Sequence, residues 1–155
     1  MLQACGKTEM TFPISVPCEE LWTGLDSMSK GILLDTDVIV DFLRGYPDAI
    51  VFINNNYDSI LLSSIVVAEL YAGVKGSSEL EILDDFISIC QIVPVTEAIA
   101  RIGGFHKRDY SGSHGIGLAD AIIAATAQII DVELKTLNVR HYPMLRNLKP
   151  PYHKV

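Results

Sequence analysis

The run Ile32-Leu33-Leu34-Asp35-Thr36-Asp37-Val38-Ile39-Val40-Asp41-Phe42-Leu43-Arg44-Gly45 decides the fold. A short apolar stretch ends on an aspartate, and the residues after it recur at helical spacing until Gly45. The pattern predicts a buried parallel strand over 31–35 that turns into a helix over 37–44. In open α/β sheets ligands collect outside the carboxyl ends of the strands. Asp35 therefore stands where chemistry is usually placed.

Outward from this stretch, strands and helices alternate. Pro47 sits at a helix-starting position, which predicts a second helix over 47–55. Ile60-Leu61-Leu62-Ser63 reads as strand two, and Ser64 as the N-cap of a helix through Val74. Leu80, Leu83, Phe86, Ile87 and Cys90 recur at helical spacing, predicting a helix from Glu79 to Ile89. Gln91–Val95 reads as strand three, with Pro94 placing it at an end or edge. A helix from Thr96 to Arg108, a loop over 109–115 and an almost wholly apolar helix from Leu118 to Ile130 follow. Glu133–Thr136 is strand four, Asn138–Arg146 a turn and short helix, and 148–155 an edge strand or tail. This alternation calls for an α/β fold, with a parallel sheet covered by helices. Residues 1–29 differ. Cys5, Pro13, Pro17, Cys18 and Trp22 show little periodicity, and no apolar core follows a basic start as in a signal peptide. They read as an N-terminal extension before a domain at 30–155, either upstream translated sequence or a real arm.

The chain's 155 residues suit one domain with a substantial core, and 49% apolar with 20% charged residues excludes disorder. The net charge of −7 runs against a nucleic-acid binder, unless part of the acidic excess holds a cation. Three cysteines without paired metal spacing point to a reducing, cytoplasmic setting. No segment carries the ~18 uninterrupted apolar residues of a membrane span.

Three acids fall at equivalent places in successive strand–helix units. Asp35 closes strand one, Glu69 lies just over a turn into the helix after strand two, and Asp120 begins the most apolar helix. Carboxylates among apolar neighbours are seldom buried unless paired or holding a metal, and hard oxygen ligands suit Mg²⁺ or Mn²⁺. Singly, each has an ordinary explanation. Asp120 can complement a helix dipole, Glu69 can pair with Lys75, and Asp35 can cap the next helix. Asp37 reads as a helix-start acid or as one supporting the site from behind, and Asp41 as a surface residue of the same helix. The conjunction of the three strand-end acids is what points to a site.

Asp35-Thr36-Asp37-Val38, Ser63-Ser64-Ile65-Val66-Val67-Ala68-Glu69-Leu70, Leu118-Ala119-Asp120-Ala121-Ile122-Ile123-Ala124-Ala125 and Leu134-Lys135-Thr136-Leu137-Asn138-Val139-Arg140-His141-Tyr142 together resemble the PIN-domain ribonucleases. The resemblance is strongest to the VapC-type toxins of prokaryotic toxin–antitoxin pairs, and it covers about residues 30 to 150. It implies a PIN-like three-layer fold, with a central mostly parallel sheet of four to five strands flanked by helices. It also implies a metal-dependent endoribonuclease using Mg²⁺ or Mn²⁺, a homodimer, and a cognate antitoxin that alone contacts operator DNA. Asp35, Glu69 and Asp120 match the family's first three acids as catalytic and metal-binding residues. Its fourth acid falls where this chain has Asn138 and His141. Thr36, Ser63 and Thr136 are the hydroxyls expected to support the acids. Arg44, Lys107, Arg108 and Arg140 are candidate RNA contacts, and the face around Phe42, Leu43 and Phe52 is a candidate antitoxin groove. With water rather than the ribose 2′-OH as nucleophile, the products would be a 5′-phosphate and a 3′-hydroxyl.

Two other readings compete. Asp35-Thr36-Asp37 also resembles the opening of haloacid-dehalogenase-like phosphatases, with Asp35 as nucleophile and Asp84-Asp85 imitating their later acids. Against it, Ile39 stands where a hydroxyl-type position is expected and Asp84-Asp85 lies inside a helical pattern. The missing fourth acid motivates the other reading, a catalytically weak PIN-like binding module.

Overall fold

The computed structural model describes residues 31–154; the expected extension over 1–29 lies outside the described residues. Four short strands form one parallel sheet: β1 (Ile32–Leu34), β2 (Ile60–Ser63), β3 (Gln91–Val93) and β4 (Glu133–Lys135). Their order is β3-β2-β1-β4, with Leu33 opposite both Leu61 and Leu134. Leu33, Leu34, Leu61, Leu62 and Leu134 are all buried, as expected for strands covered on both faces. The chain steps from β1 to β2 to β3 on one side, then crosses back to lay β4 against the other side of β1. This puts a switch point between β1 and β4, where open α/β folds leave a crevice. The residues that follow those two strands, Asp35 and Thr136, meet there.

Six helices complete the described fold: α1 (Thr36–Leu43), α2 (Pro47–Asn56), α3 (Ser64–Gly73), α4 (Ser77–Ile89), α5 (Glu97–His114) and α6 (Leu118–Ile129). Asp35 is itself the N-cap of α1, its carboxylate accepting the Thr36 backbone N–H at 2.7 Å. Ser63, not Ser64, caps α3, because the last residue of β2 holds the extended backbone a cap needs. Ser64 instead accepts a hydrogen bond from Val95 N.

The loop expected over 109–115 is helix as far as His114. An exposed helix tolerates Ser111 and Gly112, and the aromatic rings of His106, Tyr110 and His114 run one turn apart along α5. The helix stops only at Gly115, whose φ of +62° is the left-handed cap conformation. α5 packs closely on α6 because Gly103 has no side chain. A Cβ there would lie 3.1 Å from the Ile122 Cα. The C-terminal residues form no strand and fold back over α1 instead.

Candidate active site

The acids converge where the fold predicts a crevice. Asp35 is buried at the end of β1, with Glu69 on α3 and Asp120 in the first turn of α6. The Thr36 hydroxyl donates to Glu69 Oε2 at 2.5 Å, tying α1 to α3. Glu69 is therefore not the partner of Lys75. Asp120 Oδ2 accepts from Gly117 N at 3.0 Å across the entry to α6 and lies 3.3 Å from His141 Nδ1. Gly117 leaves room for this carboxylate, since a Cβ there would sit 3.3 Å from Oδ2.

The segment Thr136–Tyr142 supplies most of the remaining partners. Asp35 Oδ2 accepts two hydroxyls, from Thr136 and from Tyr142, each at 2.7 Å. Asp37 Oδ2 accepts the backbone N–H groups of Leu137 at 3.0 Å and Asn138 at 3.1 Å. Asp37 thus holds this segment in place from the start of α1, while its Oδ1 is buried without a partner. Asn138 Nδ2 stands 2.9 Å from His141 Nδ1. In place of a fourth acid, the chain brings the His141 imidazole beside Asp120, with the Asn138 amide behind it.

Burial raises the pKa of Asp35, against the opposing pull of the Thr136 and Tyr142 hydroxyls; Asp120 adds to the rise. Burial, then the charge of Asp35, pushes Asp37 up to about 6. Glu69 is raised by burial as well, and by Asp35 and Asp120 after it. These acids therefore feel one another's charge. Among the described residues no lysine or arginine forms an ion pair with Asp35, Asp37, Glu69 or Asp120. Nor is any group of three acid, histidine or cysteine side chains there disposed to hold a metal as it stands. The donor chemistry nevertheless fits a hard divalent cation. Clustered carboxylate oxygens lack a balancing charge, and Asp35, Glu69 and Asp120 each keep an oxygen that no side chain occupies.

Several expected residues take other roles. Ser63 is fully buried as the α3 cap. Lys107 is tied to the Ile116 carbonyl at 2.6 Å, and Arg108 pairs with Asp109 beside the Phe105 ring. Arg44 is exposed beyond the far end of α1, about 12 Å of helix from Asp35. Only Arg140, exposed next to His141, lies in the segment that serves the acids. Phe42 offers no groove; it is 5% exposed and stacks on Phe86 at 5.3 Å. Asp41 is not at the surface but buried under the C-terminal residues. Asp84 and Asp85 lie exposed on α4, with Asp84 bonded to Tyr71, which removes the later acids a phosphatase reading needs. Tyr142 closes the Leu134–Tyr142 segment of the sequence, where nothing local marks it as a partner of Asp35. Its hydroxyl reaches Asp35 only because β4 lies beside β1.

The architecture is that of an α/β domain with an acidic site at the switch point of a parallel sheet. The PIN domain family model matches residues 32–142. The chain belongs to the PIN domain family. It is similar to ribonuclease VapC19 of Mycobacterium tuberculosis, 49% identical over 124 residues that span 77% of this chain and 98% of the relative. It is also similar to ribonuclease VapC10 of the same organism, at 42% identity over 78% of this chain and 92% of that protein. The solved structure of VapBC2 from Rickettsia felis, bound to a DNA fragment from its promoter, superposes with a TM-score of 0.61 at 29% identity. It covers 76% of this chain and 94% of that one.

Proposed function

We propose that the chain is a metal-dependent endoribonuclease and the toxin of a toxin–antitoxin pair. The observation that carries this reading is the uncompensated cluster of Asp35, Glu69 and Asp120, in a chain 49% identical to ribonuclease VapC19 over 124 residues. Bare carboxylates repel a phosphodiester, so such a cluster becomes useful to RNA only with a cation among its oxygens. Asp35, Glu69 and Asp120 would hold a Mg²⁺ or Mn²⁺ ion. When bound, that ion supplies positive charge for the scissile phosphate and lowers the pKa of a water.

The chain's own groups do the rest. Thr136 and Tyr142 hold Asp35, Thr36 holds Glu69, and Gly117 N holds Asp120. One of the three carboxylates, through a water, would act as the general base. Arg140 is the basic residue placed to meet the RNA backbone, and His141 can contact a phosphate from beside Asp120. An antitoxin partner, operator DNA met only through that antitoxin, a homodimer and a cytoplasmic setting complete the reading. They draw support from the VapBC2 structure bound to promoter DNA and from the cysteine usage. No helix among the described residues is long and apolar enough to cross a membrane.

The test is cleavage of total RNA by purified, antitoxin-free protein with Mg²⁺, Mn²⁺ or EDTA, beside Asp35→Asn. Cleavage that needs the metal and is lost in the variant is expected. Equal cleavage by variant and parent would indicate a contaminating nuclease and overturn the reading. A parent that folds and binds metal without cutting RNA would favour a binding module.

A further inference from the structure

Tyr142 is 1% exposed and among the bulkiest fully buried side chains described. It follows the 3₁₀ turn over Val139–His141, its backbone N–H bonded to the Val139 carbonyl, so the ring has no room to swing. Packing alone would be served by a phenylalanine. A hydroxyl buried without a partner is costly, and this one donates to Asp35 Oδ2 at 2.7 Å. The Thr136 hydroxyl meets the same oxygen at 2.7 Å. Oδ2 thus has both its lone-pair directions taken by rigidly held donors. The other oxygen, Oδ1, accepts only the adjacent Thr36 backbone N–H.

We propose that Tyr142 is a positioning residue. Together with Thr136, its hydroxyl locks the Asp35 carboxylate so that Oδ1 alone is offered to a divalent cation. The inference rests on the metal-dependent reading above. Asp35 then binds through a single oxygen, and its orientation is set by a residue 107 positions away in the chain. Tyr142 would act through Asp35. Hydrogen-bonding partners behind a metal ligand fix its orientation and strengthen its hold.

The test measures Mn²⁺ binding to antitoxin-free protein by the loss of the free-ion electron paramagnetic resonance signal, with no RNA present. Tyr142→Phe keeps the ring and removes the hydroxyl. It is expected to bind Mn²⁺ about 10- to 100-fold more weakly. Tyr152→Phe, which removes a hydroxyl from Asp41 instead, is expected to bind like the parent. Thermal unfolding in EDTA separates the roles, because a merely structural Tyr142 would lower the melting temperature while leaving Mn²⁺ affinity unchanged. Unchanged affinity overturns the proposal, as does a parent that binds no Mn²⁺. If Tyr142→Phe fails to fold, 4-fluorophenylalanine at 142 fills the hydroxyl's space without donating, and the same criteria apply. A parent that binds Mn²⁺, a variant that binds it weakly and no RNA cleavage by either would uphold this role for Tyr142 and overturn the ribonuclease reading.

Discussion

Asp35 and Asp41 stand at the two ends of α1, and each is gripped by a tyrosine from the C-terminal segment. Both are buried, at 7% exposure. Tyr142 donates to Asp35 at 2.7 Å and Tyr152 to Asp41 at 2.9 Å. Their second partners separate them. Asp41 has a resident cation, the Lys154 ammonium at 2.7 Å, which also lies over the Tyr46 ring. Asp35 has another hydroxyl in that place and acids for neighbours. A buried carboxylate with its own cation is a closed structural unit. One given donors but no cation is held in shape and left short of positive charge, which is how a site differs from a brace.

The largest effect should come from removing the charge at the open end. Asp35→Asn is expected to cut metal-dependent RNA cleavage by roughly 10²- to 10³-fold while the protein stays folded. Asp41→Asn should leave cleavage within about twofold. Gel-based cleavage rates beside circular dichroism spectra check both; comparable losses in the two variants would erase the contrast.

Next is the pH dependence of stability. Asp35, Asp37 and Glu69 are all raised in the folded chain, so the unfolded chain ionises first. Their stability contribution is present at low pH and is lost as pH rises through their raised folded values, which for Asp37 is about 6. An acid moved from its ordinary 3.8 to about 6, as Asp37 is, costs folding about 3 kcal/mol once ionised. In EDTA the protein should therefore melt at a higher temperature near pH 5 than near pH 7.5. Added Mn²⁺ should narrow that gap from the high-pH side. Calorimetric melts across the range check it, and a melting temperature that rises with pH in EDTA contradicts the open-site picture.

At the closed end, Lys154→Met leaves Asp41 buried without its cation. A loss of roughly 1–3 kcal/mol in urea unfolding is expected, with Mn²⁺ affinity unchanged. The smallest effect belongs to Gly117→Ala. The new Cβ presses on Asp120 Oδ2 from 3.3 Å, and cleavage should fall a few-fold, about 1 kcal/mol in activation free energy, with little change in stability. Kinetics with short RNA substrates check this.

The sequence by itself determined most of the alternation of strands and helices and the place of Asp35 at the end of an apolar strand; Glu69 lies over a turn into α3, and Asp120 begins a helix that follows α5, not a strand as the repeated strand–helix pattern implied. Those features depend on local periodicity and on near neighbours in the chain. Its errors were of the same local kind. Ser111 and Gly112 read as a break because composition hides the helical run of His106, Tyr110 and His114, and Asp41 read as surface because nothing nearby in sequence announces Lys154. Tertiary structure alone decided the partners of each acid. Strand order β3-β2-β1-β4 brings Thr136 and Tyr142 to Asp35 from about a hundred residues away, and folds Tyr152 and Lys154 onto Asp41. The sequence could name Asp35 because a carboxylate at the end of an apolar strand is visible locally, and Glu69 and Asp120 because each is a lone acid among apolar neighbours. Which one keeps a resident cation depends on contacts that exist only once β4 lies beside β1.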